Sequence, residues 1–374
     1  MGLNLITFEE CIFQDMKTYL PKHLLVKNDA IVKSDERRKI RFVNCEFDTF
    51  SIGNITDNQD KQNVKLCEFH FFGGKIKNLL IQNIEIASKF YINKQDDKNK
   101  EPTKIEQLTI KNSIFKENFK LYHCEIDRFI IKDTDFEKQA DFSQSVFKKG
   151  FNSNTEDNTI KFKALNFKGL ALFGDCEFHQ KVNFQYVTFE DNCHFKRSDF
   201  NKGLNLDDAN IQKEINFLDI KGLDSKISMK YTSKETYRII KYNFQKIGNQ
   251  IEANKYHVLE LQAQKKTLSF KKFKDYPNLV IYWVHYLTSN FSSNWLLVLP
   301  WIGIVALIVS CSLPNIVLYD PLKLDCFSKF QVKFISILAD IDLDEHPYLF
   351  IFHKASLAYL YYQFISAIRR DVKK

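Results

Sequence analysis

A β-solenoid followed by a helical, membrane-spanning region is the fold class this sequence predicts, and three observations carry it. Large apolar side chains recur in strictly alternating steps of five and six residues: Phe162, Phe167, Phe173, Phe178, Phe184, Phe189, Phe195, Phe200, Leu206, Ile211 and Phe217. Two residues before each stands a small or aliphatic side chain, as in Ile160, Leu165, Ala171, Cys176, Val182 and Val187. After Asp224 the pattern changes to three- and four-residue steps and then to long stretches without charge. An eleven-residue period fits neither a 3.6-residue helix nor an alternating hairpin strand. It fits a chain coiled around a stacked column of its own side chains.

The repeating couplet reads small–polar–Phe, as in Cys176-Glu177-Phe178, Val182-Asn183-Phe184, Ser198-Asp199-Phe200 and Ala209-Asn210-Ile211. In this it resembles the pentapeptide-repeat family, in the Phe-rich branch where five- and six-residue steps alternate. The resemblance implies a right-handed quadrilateral β-helix, with the Phe or Leu at the centre of each face and the small residue also turned inward. One step per face gives 22 residues per coil, so that Phe173, Phe195 and Phe217 stack about 4.8 Å apart, the spacing of paired strands.

Less regular matches extend the resemblance back toward the N-terminus: Cys11-Ile12-Phe13, Cys45-Glu46-Phe47, Cys67-Glu68-Phe69, Ser113-Ile114-Phe115, Cys124-Glu125-Ile126, Thr134-Asp135-Phe136, Ala140-Asp141-Phe142 and Ser145-Val146-Phe147. The repeat region is thus expected over 1–230. Polar stretches at 93–104 and 152–158 read as surface insertions, since nothing apolar in them asks for burial. With 11 glycines in the chain, the corners fall largely to Asn, Asp and Lys.

Six of the 8 cysteines (Cys11, Cys45, Cys67, Cys124, Cys176 and Cys193) occupy the small inward slot, where a thiol packs as a small hydrophobe. No C-x-x-C or Cys/His spacing points to zinc. The absence of a signal peptide agrees with a reducing compartment.

Residues 231–270 form the next expected unit, an amphipathic helical cap. Tyr237, Ile240, Phe244, Ile247, Ile251, Val258 and Leu261 return to one face. Thr232-Ser233-Lys234-Glu235 offers a capping box, and Gly248-Asn249 marks either a break or a tolerated irregularity. The run from Tyr237-Arg238 to Glu260 resembles the helical segment that follows the repeats in membrane-bound pentapeptide proteins. Such a helix can cover the open edge of the last coil.

Residues 271–374 are expected to form a membrane region. Trp295 to Tyr319 runs 25 residues without charge, bordered by Trp295, Trp301 and Tyr319, and predicts a first span over 295–319. Pro347 to Ile368 predicts a second over 347–368, with an interfacial helix as the alternative because His353 and Lys354 lie inside it. The intervening segment is acidic and both flanks are basic, so the positive-inside rule keeps the β-helix and the C-terminus in the cytoplasm. The localisation expected is the bacterial inner membrane, multi-pass. Segment 278–294, after Lys265, Lys266, Lys271, Lys272 and Lys274, reads as lying along the headgroups.

Charge narrows the function. The chain carries 54 basic against 46 acidic residues; 1–230 holds 36 and 35, and 231–374 holds 18 and 11. A neutral solenoid lacks the field that DNA mimicry by this family's acidic members requires, and no basic stripe supports direct nucleic-acid binding. No Walker loop, G-x-S-x-G, G-x-G-x-x-G or H-E-x-x-H occurs. His179 and His194 fall at outward positions, and Asp135, Asp141, Glu177 and Asp199 occupy the couplet's middle slot, which the family uses for turn hydrogen bonds. No catalytic, cofactor-binding or metal-ligating residue is assigned.

The function expected is a non-enzymatic, membrane-anchored scaffold that presents the β-helix to another protein, with lipid contact through the C-terminal third. The alternatives are a channel-like or transport-accessory protein, with Phe327 to Ile341 re-entering the bilayer, and a DNA-mimic topoisomerase inhibitor.

Overall fold

Inward-facing side chains two residues apart, followed by a turn, wind the N-terminal two-thirds of the chain into parallel coils. The computed structural model describes residues 5–18, 38–53, 62–64, 67–93, 101–150, 158–268, 275–292, 294–312, 332–339, 341 and 346–372. They fall into two units, Met1–Asn243 and Phe244–Lys374.

Among the described residues of the first unit every strand pairing is parallel, and in the clean block the register advances by one coil of 22 residues. Phe167 lies over Phe189, Phe178 over Phe200 and Val182 over Leu204. The rings pile up as the spacing predicts: Phe173 and Phe195 lie 5.2 Å apart at 21°, and Phe195 and Phe217 5.7 Å apart at 14°. Four such columns fill the interior, and neighbouring columns meet edge-to-face, as Phe173 and Phe184 do at 5.3 Å and 78°. Both arrangements suit the ring quadrupole.

The parallel ladder also holds where the repeat is faint. Leu5–Glu9 pairs with Arg38–Val43, and Ile12–Thr18 with Glu46–Gly53. Here the strands are long: Thr103–Phe115 and Cys124–Phe136 each run 13 residues, against two for the strands from Ala171 onward. Of the two expected insertions, 94–100 and 151–157 lie outside the described residues, whereas Thr103 and Lys104 belong to a strand.

The corners differ from the expectation in one respect. A left-handed residue recurs every eleven positions at Ala164, Asp175, Tyr186, Arg197, Asp208 and Asp219, with φ between 51° and 60°. Each sits in the five-residue step. Ala164 lies within the strand Ile160–Phe167, whereas Tyr186, Arg197, Asp208 and Asp219 are each the third residue of a β-turn, in which the N–H of Val187 donates to Phe184 O at 3.1 Å and that of Ser198 to Phe195 O at 3.0 Å. Asp fills three of these six positions, and Ala, Tyr and Arg fill the others; none is Asn or Lys.

The last coil is closed by helices α1 (Ser228–Tyr231) and α2 (Lys234–Lys246). Thr232 Oγ1 accepts from the N–H of Leu204 at 3.2 Å, Thr236 Oγ1 from Leu206 at 2.9 Å and Asn243 Oδ1 from Ile215 at 3.2 Å. These donors belong to the coil edge, which no further coil covers. Tyr237, Ile240 and Phe244 are buried as expected, but the N-cap is Ser233, whose hydroxyl accepts from the N–H of Thr236. Gly248, at φ 77°, breaks the helix, and α3 (Gln250–Lys265) starts on the Asn249 side chain. The break shifts the phase. Ile247 and Ile251 are exposed, and α3 buries Ala253, Tyr256, Leu259 and Ala263 in place of Val258 and Leu261.

The second unit continues with α4 (Tyr276–Ser289), α5 (Val298–Ser312), a 3₁₀ turn over Val332–Ile335 and α6 (Pro347–Val372). Val298, Ile302 and Val305 pack against Leu357 and Leu360. Ala306 and Val309 pack against Phe334, Ala339 and Ile341. Asn290, Phe291 and Ser292 form three successive left-handed residues, held by Gln363 Oε1, which accepts from the hydroxyl of Ser289 at 3.0 Å and of Ser292 at 2.5 Å. Lys354 Nζ donates to the carbonyls of Ile337 and Ala339, both at 2.7 Å.

The two expected spans are corrected here. No described helix is long and apolar enough to cross a membrane. Within 295–319 the helix covers the 15 residues of α5, about 22 Å of rise where a hydrocarbon core measures about 30 Å, and 313–319 lie outside the described residues. α6, at 26 residues, is long enough but not apolar enough, since His353, Lys354 and Gln363 interrupt it. His353 and Gln363 are buried, and Lys354 is turned onto backbone carbonyls. The multi-pass inner-membrane localisation falls with the spans, and the re-entrant segment of the channel reading shows only the short 3₁₀ turn among its described residues. Segment 278–294 is largely α4, with Val280, Ile281, Val284 and Leu287 exposed.

Candidate functional site

The outward side chains of the coils form the faces of the prism, and their positions are fixed by the backbone ladder beneath them. Residues one coil apart stand directly above one another, so that charges on a face meet in register. Arg197 chelates Asp175 (Nη2 to Oδ2 2.6 Å), Lys213 meets Asp191 at 2.7 Å and Lys138 meets Glu117 at 2.9 Å. Lys148 bridges Glu125 and Asp127. The Arg197 guanidinium holds the Asp175 carboxyl below its ordinary range, and the Lys213 ammonium does the same for Asp191. Each exposed pair contributes little to stability. Together they leave the faces close to electrically neutral, which is the charge balance of 1–230 seen at side-chain level.

The middle slot of the couplet does turn chemistry. The Oδ1 atoms of Asp141, Asn183, Asn205 and Asn216 accept from the backbone N–H two residues on, at 2.7–3.0 Å. Glu177 and Asp199 stand in register on adjacent coils, and Asp199 bridges onward to Lys221. Asp135 lies beside Asn166 on the next coil. His179 is outward, 3.6 Å from Glu177, and His194 lies half-buried. These residues are spread over the faces and converge on no common centre. Among the described residues no three His, Cys, Asp or Glu side chains are placed to hold a metal ion.

Sequence reasoning missed an internal seam. One of the four small-slot columns runs Cys11, Cys45, Gly74, Thr103, Cys124, Ser145, Cys176 and Ser198 by register. Its side chains donate across to the coil below. Cys176 Sγ reaches Phe142 O at 3.1 Å, Ser145 Oγ reaches Leu121 O at 2.8 Å and Thr103 Oγ1 reaches Asn93 O at 2.7 Å. Ser198 Oγ donates to Phe173 O and also accepts from the N–H of Cys176. Burial pushes the thiols of Cys124, Cys176 and Cys193 up, so they stay protonated. Cys45 and Cys193 are buried and Cys11 is half-buried; the side chain of Cys67 lies outside the described residues. The alternation of sulfur and hydroxyl along one column was the signal available in the sequence; in the other columns Cys, Ser and Thr are mixed with Ala, Val, Leu and Ile, as where Thr134 meets Leu165 and Ala171 meets Cys193.

Compared with known families, residues 162–210 match the model for pentapeptide repeats, in nine copies. The chain carries pentapeptide repeats. The matched stretch is the block where the five- and six-residue steps are cleanest. The same ladder of inward Phe, Leu and Ile continues from it toward the N-terminus and ends under α1 and α2. No curated protein and no solved structure matches the chain.

Proposed function

We propose that this pentapeptide-repeat protein is a non-enzymatic scaffold, whose solenoid faces bind another protein. The observation that carries the reading is the rigid, self-neutralised face. Its outward side chains stand at strand spacing on a core of stacked rings, and its charges are already matched coil to coil. A surface of this kind selects partners by shape and by the pattern of paired charges, with no net field to draw in nucleic acid. The pairing also weighs against DNA mimicry, which needs unmatched carboxylates in long rows. Tyr186, 67 % exposed at a corner, is an aromatic contact of the type enriched in interfaces.

The test is a photo-crosslinking amino acid placed at Tyr186 of the full-length protein in its native cells. A discrete protein adduct is expected. Adducts indistinguishable from those of an unfolded Phe184→Asp variant carrying the same probe would refute the proposal.

A further inference from the structure

One face of the prism carries a lysine, Lys181, whose neighbours one coil away are uncharged. Ile160–Phe167, Val182–Asn183 and Leu204–Asn205 stack there, which puts Lys161, Asn183 and Asn205 in one column and Thr159, Lys181 and Gly203 in the next. A cleft of about 320 Å³ runs along these columns and ends against Tyr231 of α1. Lys181 Nζ sits 3.6 Å from the Tyr231 ring centroid, which fixes the ammonium at the cleft wall. Gly203, at φ 111°, lets the cap descend this far, since a Cβ there would meet Tyr231 Cβ at 3.1 Å and Ser228 O at 3.0 Å.

Three features define what the cleft can hold. First, the coil neighbours of Lys181 are Thr159 and Gly203, whereas Arg197, Lys213 and Lys138 each find a carboxylate one coil away. Second, no carboxylate lines the cleft among the described residues. Third, Asn183 and Asn205 commit their Oδ1 atoms to the N–H groups of Gln185 and Asp207, both at 2.7 Å. The end of each amide left for the cleft is therefore its NH₂ group, a donor. An ammonium and two amide donors thus line one cleft, with no carboxylate among its described lining residues.

We propose that this cleft binds a small oxyanion, a phosphate or a carboxylate group, held by Lys181 and the side-chain amides of Asn183 and Asn205. Charge-assisted donors of this kind recognise such oxygens at about 2.7–2.9 Å. The inference is independent of the scaffold reading, since it concerns a small ligand at one end of one face.

Calorimetric titration of the full-length protein at low ionic strength with inorganic phosphate, and separately with acetate, tests it. Saturable binding of at least one ion is expected, and the tighter one identifies the source of the oxyanion. Asn183→Asp keeps an oxygen for the Gln185 N–H, so the turn survives, but it replaces the donor with a negative charge. Its affinity should fall by about tenfold or more, with the ligand-free melting temperature unchanged. If that variant melts early, Lys181→Gln provides the same comparison. Equal affinities in wild type and the folded variant, or no saturable binding of either ion, would overturn the proposal.

Discussion

The thiols of the seam show how much a single side chain does in this interior. Cys176 fits the small slot by volume, as an alanine would, but its Sγ also supplies a donor to Phe142 O. Without it that buried carbonyl loses a partner, at a cost of about 1 kcal/mol or more. Cys176→Ala is accordingly expected to lower stability by about that amount, whereas Cys176→Ser, which retains a donor as Ser145 and Ser198 do, should stay within about 0.5 kcal/mol of wild type in denaturant melts. The same burial makes stability depend on alkaline pH. In the unfolded chain these thiols ionise near 9.0, while in the fold Cys124, Cys176 and Cys193 stay protonated well above it. Their contribution is complete below pH 9 and is lost as pH rises toward the folded values. The loss for the three should be about 3 kcal/mol between pH 9 and pH 10 under reducing conditions. A Cys124→Ser, Cys176→Ser, Cys193→Ala variant should lose less over that interval; parallel pH profiles would contradict the linkage.

At the scale of the element, the corner and the cap do the work that regular strands do elsewhere. Strands of two residues cannot hold a sheet by length, so each coil depends on the turn that re-aims the chain every five or six residues. Ala164 occupies an αL corner without the local hydrogen bond that Asn or Asp can form, at φ 51°. Ala164→Gly should therefore raise stability by about 0.5–1 kcal/mol, the relief of backbone strain outweighing the extra freedom of glycine in the unfolded chain; a lower melting temperature would count against this account. The cap is the other critical element. Thr236→Val keeps shape and β-branching in α2 but removes the acceptor for the buried N–H of Leu206. A loss of about 1–3 kcal/mol with an unchanged denaturant slope is expected.

For the whole molecule, the stacked rings make the first unit cooperative. Phe184 is fully buried, 4.3 Å from Phe162 on its own column and 5.3 Å from Phe173 and Phe195 on a neighbouring one. Burying a Phe contributes roughly 1.5–3 kcal/mol, and an unpaired carboxylate in its place costs several more. Phe184→Asp should abolish the β-sheet circular dichroism of the repeat unit, because no coil above or below can re-form without its neighbour. The second unit follows different rules. Its helices pack two small apolar clusters and leave Val280, Ile281, Leu296, Ile304 and Ile351 exposed, while polar side chains such as Gln363, His353 and Lys354 turn inward to meet backbone and hydroxyl groups.

Period and residue type determined the coil by themselves. The 22-residue turn, the inward Phe, the small slot and the turn-forming middle slot were all legible, because each repeat meets the same neighbours and local pattern equals tertiary environment. The cap could be read for the same reason, as a face of Tyr237, Ile240 and Phe244 next to an open edge. Tertiary structure alone decided what depends on residues far apart in sequence. It set the register that lines up Cys124, Ser145, Cys176 and Ser198 into a donor seam, and the approach of Tyr231 to Lys181 that shapes the cleft. It also decided the fate of the charge-free stretches: an apolar run reports that side chains avoid water, but helix length and the partners of His353, Lys354 and Gln363 determine whether it can cross a bilayer.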